Sequence, residues 1–427
     1  MKRTVSVFFC FVLTSAFLFA EENAPNTLSP QEQAEGFQLL FDGKILPPDI
    51  WQSAVAGYPV EDGVVVCRKG GNLLTAKEYG DFVFRFEFAL PPGGNNGVGI
   101  RAESPDKDAA YYGMEVQILD NTSPKYAKLE DAQYHGSIYK VAASKRNAEK
   151  NDYLKPVGEW NTEEIIAAGS RITVILNGEI IVDKDIAGID LPSHPGLHRE
   201  KGFVGFLGHG DPVKFRNIRI KELNTLTGQE QKEGFTLLFD GKTLSPELWN
   251  GDIKGYRVEN DVLVCRGGNI LTKKEYGDFT FRFEFKLPPG GNNGVGFRCP
   301  AGGGSFDGFE IQILDHFDKK YKNKDGSFWL QPYQYHGSIY GTIPANRYPD
   351  KNDYQKPVGQ WNYEEVSLKG SQIKVVLNGG VLVDANLDDY KDKDLKDHRP
   401  KGLDRKSGFV GFLGHSDPVE FRNVRIK

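Results

Sequence analysis

Phe82-Val83-Phe84-Arg85-Phe86-Glu87-Phe88-Ala89 decides the fold class of this chain. Its four phenylalanines fall on alternate positions, with Val83, Arg85 and Glu87 between them. A period of two sends alternate side chains to opposite faces, so the stretch reads as a β-strand with an aromatic inner face and a mixed outer one. The pattern returns as Phe279-Thr280-Phe281-Arg282-Phe283-Glu284-Phe285-Lys286, and its flanks return with it. Asn26 to Phe37 recurs as Asn224 to Phe235, and Leu39 to Lys44 as Leu237 to Lys242. Leu90 to Gly99 recurs as Leu287 to Gly296, Tyr134 to Tyr139 as Tyr335 to Tyr340, and Gly205 to His209 as Gly411 to His415. The spacing, about 200 residues, is that of a duplicated domain and far exceeds the roughly 20–50 of solenoid repeats.

Each copy opens on a capping box, Ser29 with Glu32 and Thr227 with Glu230, which predicts a short helix. Beyond it, 49 glycines, 12% aromatics and only 2 methionines point to short strands and tight turns. Asn96-Gly97 and Asn177-Gly178 carry the sequence of type I′ hairpin turns, which makes Asn95 and Asn96 turn formers. Longer loops are expected at 140–158 and 184–201. The resulting expectation is all-β: two tandem jelly-roll β-sandwich domains, at 26–222 and 224–427. Trp51, Trp160, Trp249 and Trp361 recur in pairs and are expected to pack in cores.

The formal net charge is −5 and no basic stripe is present, which argues against a nucleic-acid partner. Lys2 and Arg3 followed by an apolar run from Val5 to Ala20 form a signal-peptide pattern, so residues 1–20 are expected to direct export and to be removed. No later segment could span a membrane as a helix. Apart from Cys10 in that run, three cysteines remain, Cys67, Cys265 and Cys299, without metal-ligand spacing. They read as small buried hydrophobes.

The duplication also selects chemistry. Glu115-Val-Gln-Ile-Leu-Asp120 is matched by Glu310-Ile-Gln-Ile-Leu-Asp315. Alternation places Glu115 and Gln117 on one face of a strand, as it does Glu310 and Gln312, with the Asp at the strand end. Arg101 and its twin Arg298 could pair with that glutamate or donate to a substrate oxygen. Among eight histidines, His135 matches His336, His198 matches His398 and His209 matches His415, while His194 and His316 have no twin. Matched His, Glu and Asp with Tyr139 and Tyr340 make an acid/base set. The same donors could accept a divalent cation, although nothing in the sequence requires a cofactor. No nucleophile elbow, phosphate loop, dinucleotide fingerprint or zinc-protease helix occurs.

Each half resembles the 3-keto-disaccharide hydrolase domain, over about residues 31–222 and 229–427. The resemblance is carried by Gly36-Phe-x-Leu-Leu-Phe-Asp-Gly43, Gly94-Asn-Asn-Gly97, Glu115-Val-Gln-Ile-Leu-Asp120, Gly158-Glu-Trp-Asn161, Leu176-Asn-Gly178 and Val213-Lys-Phe-Arg-Asn-Ile218. It implies a concanavalin-like jelly roll with its site on the concave face. It also implies cleavage of 3-keto-glycosides: removal of the C2 proton, elimination of the C1 oxygen, then hydration. Under that resemblance His209 or Glu115 is the base, Asp120 or His135 the acid, and Arg101 and Gln117 orient the substrate; His415, Glu310, Asp315, His336, Arg298 and Gln312 repeat the set. The substrate would come from a sugar 3-oxidoreductase. Two departures from the family pattern stand out. Leu207 and Leu413 replace a Gln before the conserved His, and His135-Gly-Ser-Ile-Tyr139 replaces a Thr-Gly-Ala-Ile-Tyr pattern. The competing readings are a two-carboxylate glycosidase and a non-catalytic carbohydrate-binding tandem.

Overall fold

The computed structural model describes residues 24–145, 153–304, 307–346, 354–390 and 399–427. The expected export segment at 1–20, part of the 140–158 loop, and His398 lie outside them. Among the described residues no helix is long and apolar enough to cross a membrane.

The chain opens on helix α1, Pro30–Glu35, closed by the expected capping box: Ser29 Oγ accepts from the Glu32 N–H and the Glu32 carboxylate accepts from the Ser29 N–H. The first unit then contributes β1 (Gln38–Leu39), β2 (Trp51–Ser53), β3 (Val60–Glu61), β4 (Val64–Val66), β5 (Gly71–Thr75), β6 (Phe82–Ala89) and β7 (Asn95–Ala102). It continues with β8 (Met114–Leu119), β9 (Asn161–Ala168), β10 (Arg171–Leu176), β11 (Glu179–Asp185), β12 (Phe203–Gly208) and β13 (Lys214–Glu222). One sheet has eight strands, ordered β11-β10-β9-β6-β13-β4-β3 with β1 added beside β13, and the other has five, ordered β2-β5-β12-β7-β8. All of these pairings are antiparallel. The second unit repeats both sheets, so the molecule is two tandem jelly-roll β-sandwiches.

The alternating stretch 82–89 is the centre of the larger sheet, between β9 and β13. Its phenylalanines point inward, and Phe86 meets Phe206 of the smaller sheet edge-on at 5.4 Å. Phe206 in turn stacks on Phe215 of β13 at 3.8 Å, and Phe412 on Phe421 repeats this at 3.8 Å. Trp51 and Trp249 are core residues, each donating its indole N–H at 2.7 Å to a backbone carbonyl, Leu40 or Leu238. Cys67, Cys265 and Cys299 are buried free thiols.

One turn expectation fails. Asn177-Gly178 does form the β10–β11 hairpin, with φ of 50° and 91°, but Asn96-Gly97 lies inside β7 rather than in a turn. The chain reverses earlier, at Pro91–Gly94, where the Gly94 N–H donates to Pro91 O at 2.9 Å. Gly97 is there for space: a Cβ on it would lie 2.0 Å from Glu115 Oε1.

Candidate functional site on the outer face of the five-stranded sheet

β8 is an edge of the smaller sheet. Met114, Val116 and Ile118 enter the core, so Glu115 and Gln117 face outward. Opposite them on β7 stand Gly99 and Gly97, and Asn95 pairs with Leu119. On the far side of β7, Phe206 lies opposite Val98, which carries Leu207 to Gly97 and His209, just past the end of β12, to Asn95. The second unit shows the same register, with Leu413 opposite Gly294 and Gly414 opposite Asn293. The floor is therefore glycine. Glu115 bends over Gly97, and Leu207 covers Gly99, where a Cβ would lie 2.9 Å from its Cδ2. Leu207 packs with Leu74, Ala102 and Ala109, giving the glutamate an apolar flank.

Glu115 is 5% exposed, and burial, with Asp108 nearby, pushes its carboxyl up to about 8. Among the described residues Glu115 Oε1, Gln117 Oε1 and Asn95 Oδ1 are buried acceptors without a hydrogen-bond donor. Orphaned acceptors are uncommon in folded proteins, and three on one face call for donors from a ligand. His209 is exposed at the rim. Its twin His415 has its pKa lowered by burial, partly offset by Asp417. From strand spacing and rise, the backbones of Gly97 and His209 are roughly 8 Å apart, room for one sugar ring between the Glu115 carboxyl and the imidazole.

The other expected site residues lie elsewhere. His135 is 2% exposed and faces the core: its ring lies 5.2 Å from Phe88, its Nδ1 accepts from the Leu119 N–H at 3.2 Å, and its Nε2 is 3.2 Å from Glu163 of β9. His336 repeats this with Leu314 and Glu364, and burial pushes Glu364 up to about 8. Both histidines connect the two sheets from inside and do not reach the Glu115 or Glu310 face, which corrects their reading as acids. Asp120 organises a turn, accepting from the Gly93 N–H at 2.8 Å, the Thr122 N–H at 3.0 Å and the Thr122 hydroxyl at 2.5 Å. Asp315 accepts from the Gly290 N–H at 2.8 Å in the same way. Arg101 is clamped by Asp81 at 3.0 Å and by the carbonyls of Gly80, Gly169 and Arg199, away from Glu115, and Arg298 reaches Gly370 O. Tyr139 supports the site through its backbone, its N–H donating to Glu115 O at 2.8 Å, as Tyr340 does for Glu310. Gln312 Nε2 donates to Asn292 Oδ1 at 2.8 Å.

The sequence reading missed Asn95 as a site group, because Asn-Asn-Gly mimics a turn. It also set aside His194 for want of a twin. His194 is 3% exposed, 4.9 Å from the Tyr111 ring and bonded to Ser193 Oγ at 2.9 Å, with burial lowering its pKa and the Tyr139 backbone opposing that shift. Among the described residues no three His, Cys, Asp or Glu side chains converge to hold a metal ion.

With this geometry in view, a family profile described as a 3-keto-alpha-glucoside-1,2-lyase-like domain matches residues 36–221 and 234–427. A 3-keto-disaccharide hydrolase of Bacteroides thetaiotaomicron is 28% identical over 239 residues, covering 45% of this chain and 80% of that protein. A solved protein of Parabacteroides distasonis, provisionally named a glycosyl hydrolase, is 28% identical over 48% of this chain and 99% of its own, with a TM-score of 0.41. A carbohydrate-binding module from Bacillus subtilis is 16% identical, covering 45% of this chain and 94% of its own, with a TM-score of 0.23.

Proposed function

The chain belongs to the 3-keto-alpha-glucoside-1,2-lyase-like family, both halves of it, and from that premise we propose that each half cleaves 3-keto-glycosides by elimination and hydration. A carbohydrate-directed role follows from the family; the mechanism is our reading. A ketone at C3 acidifies the C2 hydrogen. Glu115 takes that proton, the C2 electron pair forms the C1=C2 double bond, and the C1–O bond breaks. His209, across the glycine floor, protonates the departing oxygen. Water then adds its hydroxyl to C1 and a proton returns to C2, so the net change is hydrolysis. A carboxyl raised to about 8 is a strong base once ionised, and it can give the proton back. Gln117 and Asn95 accept from sugar hydroxyls and hold the ring. Glu310, Gln312 and His415 take the same roles in the second half, where Asn292 Oδ1 already accepts from Gln312 Nε2.

The observation that carries this reading is the three unpartnered acceptors on one glycine-floored face. Asp120, His135 and Arg101, with their twins, leave the catalytic set because they are engaged in turns, in the core, or, for Arg101 and Arg298, by Asp81 and the Gly370 carbonyl. The 3-keto substrate has to be supplied by a reaction that oxidises a sugar at O3, and we place the protein outside the cytoplasm on the strength of the Val5–Ala20 segment. The test is Glu115→Gln combined with Glu310→Gln, assayed on a 3-keto-glucoside. We expect turnover to fall at least about a hundredfold, within the range ordinarily contributed by a general base. Wild-type kcat/KM should rise from the acid side as the Glu115 carboxyl ionises, because the carboxylate is the form that takes the C2 proton. Unchanged turnover in the double variant rules out this assignment.

A further inference from the structure

Trp329 has no twin, although the other four tryptophans pair between the copies. It lies in the segment between Asp315 and His336, which is longer than its counterpart between Asp120 and His135. Where the first copy has Asn121-Thr122, the second has His316-Phe317, and Phe328-Trp329 belongs to the added length. Trp329 is 48% exposed and Phe317 40%. Exposed large aromatics are ordinarily loosely held, yet this indole is fixed. Its Nε1–H donates to Lys320 O at 2.9 Å, its backbone N–H donates to Tyr321 O at 3.1 Å, and its ring lies 5.7 Å from Tyr321. Phe317 is likewise backed by His316 at 4.0 Å and Phe328 at 6.5 Å.

The platform is seated on the candidate site's own face. Tyr321 and Leu330 pack on Leu314, with Phe328 and Tyr335 against them. Leu314 follows Gln312 by two residues on the strand Phe309–Leu314, so it shares the outer face with Glu310 and Gln312. The Glu310 carboxyl bends over Gly294, which pairs with Gln312, so Leu314 stands two residues, roughly 7 Å, further along the strand, within reach of a neighbouring sugar ring. Lys320 Nζ, 3.8 Å from Asp417, ties the same segment to the turn that carries His415.

We propose that Phe317 and Trp329 form a sugar-stacking subsite, present only in the second copy, that holds the pyranose ring adjoining the one that reacts at Glu310. The assignment of the reacting ring rests on the function proposed above; the stacking subsite itself does not. Rigid aromatic faces bind the apolar faces of pyranoses at little entropic cost. The two copies thereby differ in substrate: the first takes short glycosides, and the second prefers a glycoside whose leaving group is itself a sugar.

Two measurements on the full chain test this. In a Glu115→Gln background, which leaves only the second site, Trp329→Ala should lower kcat/KM about tenfold for 3-keto-maltose oxidised on its non-reducing ring, the scale of one lost aromatic contact. It should leave methyl 3-keto-α-glucoside unchanged, and Trp329→Phe should restore most of the loss. Equal losses on both substrates, or none on either, overturn the subsite. Independently of turnover, saturation-transfer NMR with maltotriose should show binding to the wild type and to Trp329→Phe, and at least tenfold weaker binding to the Phe317→Ala, Trp329→Ala double variant. If the wild type turns over neither keto-sugar, the catalytic reading fails while the maltotriose titration still decides the subsite. No maltotriose binding to the wild type overturns the subsite and leaves the aromatics as a surface for a protein partner.

Discussion

Glu115 occupies a position that disfavours its own charge. The carboxyl lies over Gly97, next to the Gly99 that Leu207 covers, and burial pushes it up to about 8. An unfolded glutamate ionises near 4.5, so the folded state binds this proton more tightly. The sign follows: the stability linked to this group is fully present below about pH 4.5 and is lost as pH rises through about 8. Glu364, also raised to about 8, acts in the same direction. Replacing Glu115 by Gln removes the requirement for a bound proton. Thermal unfolding of Glu115→Gln should therefore show a Tm several degrees above wild type at pH 8.5 and little difference at pH 5, the gain being on the order of a few kcal/mol. A gain in stability together with a loss of turnover is the pattern of a functional group held in an unfavourable site. A lower Tm at pH 8.5 would show instead that the carboxyl is there to hold the fold.

The two Asn-Gly pairs show how one dipeptide serves different ends in different elements. Gly178 sits at φ 91° with nothing near a would-be Cβ, so it answers to backbone conformation alone. Gly97 sits in an extended strand where the obstacle is the Glu115 carboxyl. Gly178→Ala should cost about 1 kcal/mol of stability without altering turnover of the folded protein. Gly97→Ala should displace the carboxyl and, in a Glu310→Gln background that leaves only the first site, cut turnover more than about tenfold, with Gly294→Ala acting alike in a Glu115→Gln background. Calorimetry and a keto-glucoside assay on both variants would show whether the effects separate in this way. The helix element was legible from Ser29 and Glu32, because a capping box is local chemistry. The role of β7 was not, because what Gly97 avoids is contributed by β8, almost twenty residues further along the chain.

The two sandwiches pack through the outer faces of their eight-stranded sheets, and they do so head to tail. Trp361 of the second copy packs with Phe37, Val83, Ile166, Ala168 and Leu223 of the first. At the equivalent places the second copy has Thr280, Ser367 and Lys369 where the first has Val83, Ile166 and Ala168. The second copy thus offers a polar surface where the first offers the apolar seat for Trp361. Lys221 Nζ lies 3.1 Å from Glu35 of its own unit and, across the interface, 2.7 Å from Glu284, all three nearly inaccessible, while Tyr363 donates to Ala34 O at 3.2 Å. Burial opposes the Glu284 charge, but Lys221 and Arg422 hold its carboxyl far below the usual range. The stability it contributes is present above about pH 4.5 and is lost on acidification. Lys221→Ala leaves the buried Glu35 without its ion-pair partner and Glu284 with Arg422 alone, and should cost about 3–5 kcal/mol. Scanning calorimetry should show one transition in the wild type and two in Lys221→Ala, as the units uncouple. A single unshifted transition would mean that the apolar patch around Trp361 holds the units together without the lysine.

By itself the chain determined the duplication, the all-β class, the strand at 82–89, the capped helix and the outward pair Glu115 and Gln117. Each is a matter of local periodicity or of repetition, and both are written in order along one dimension. Only the tertiary structure decided that His135, Asp120 and Arg101 serve the core, a turn and an inter-strand clamp. It also brought Asn95, Leu207 and His209 to one face, seated the segment of Phe317 and Trp329 on Leu314, on the face that carries Glu310, and set Lys221 against Glu284. The partners in each case lie on different strands or in different copies, and a matched residue looks the same in sequence whether the match preserves packing or chemistry. What separates the two is whether its polar atoms already have partners, and that is a property of the folded molecule.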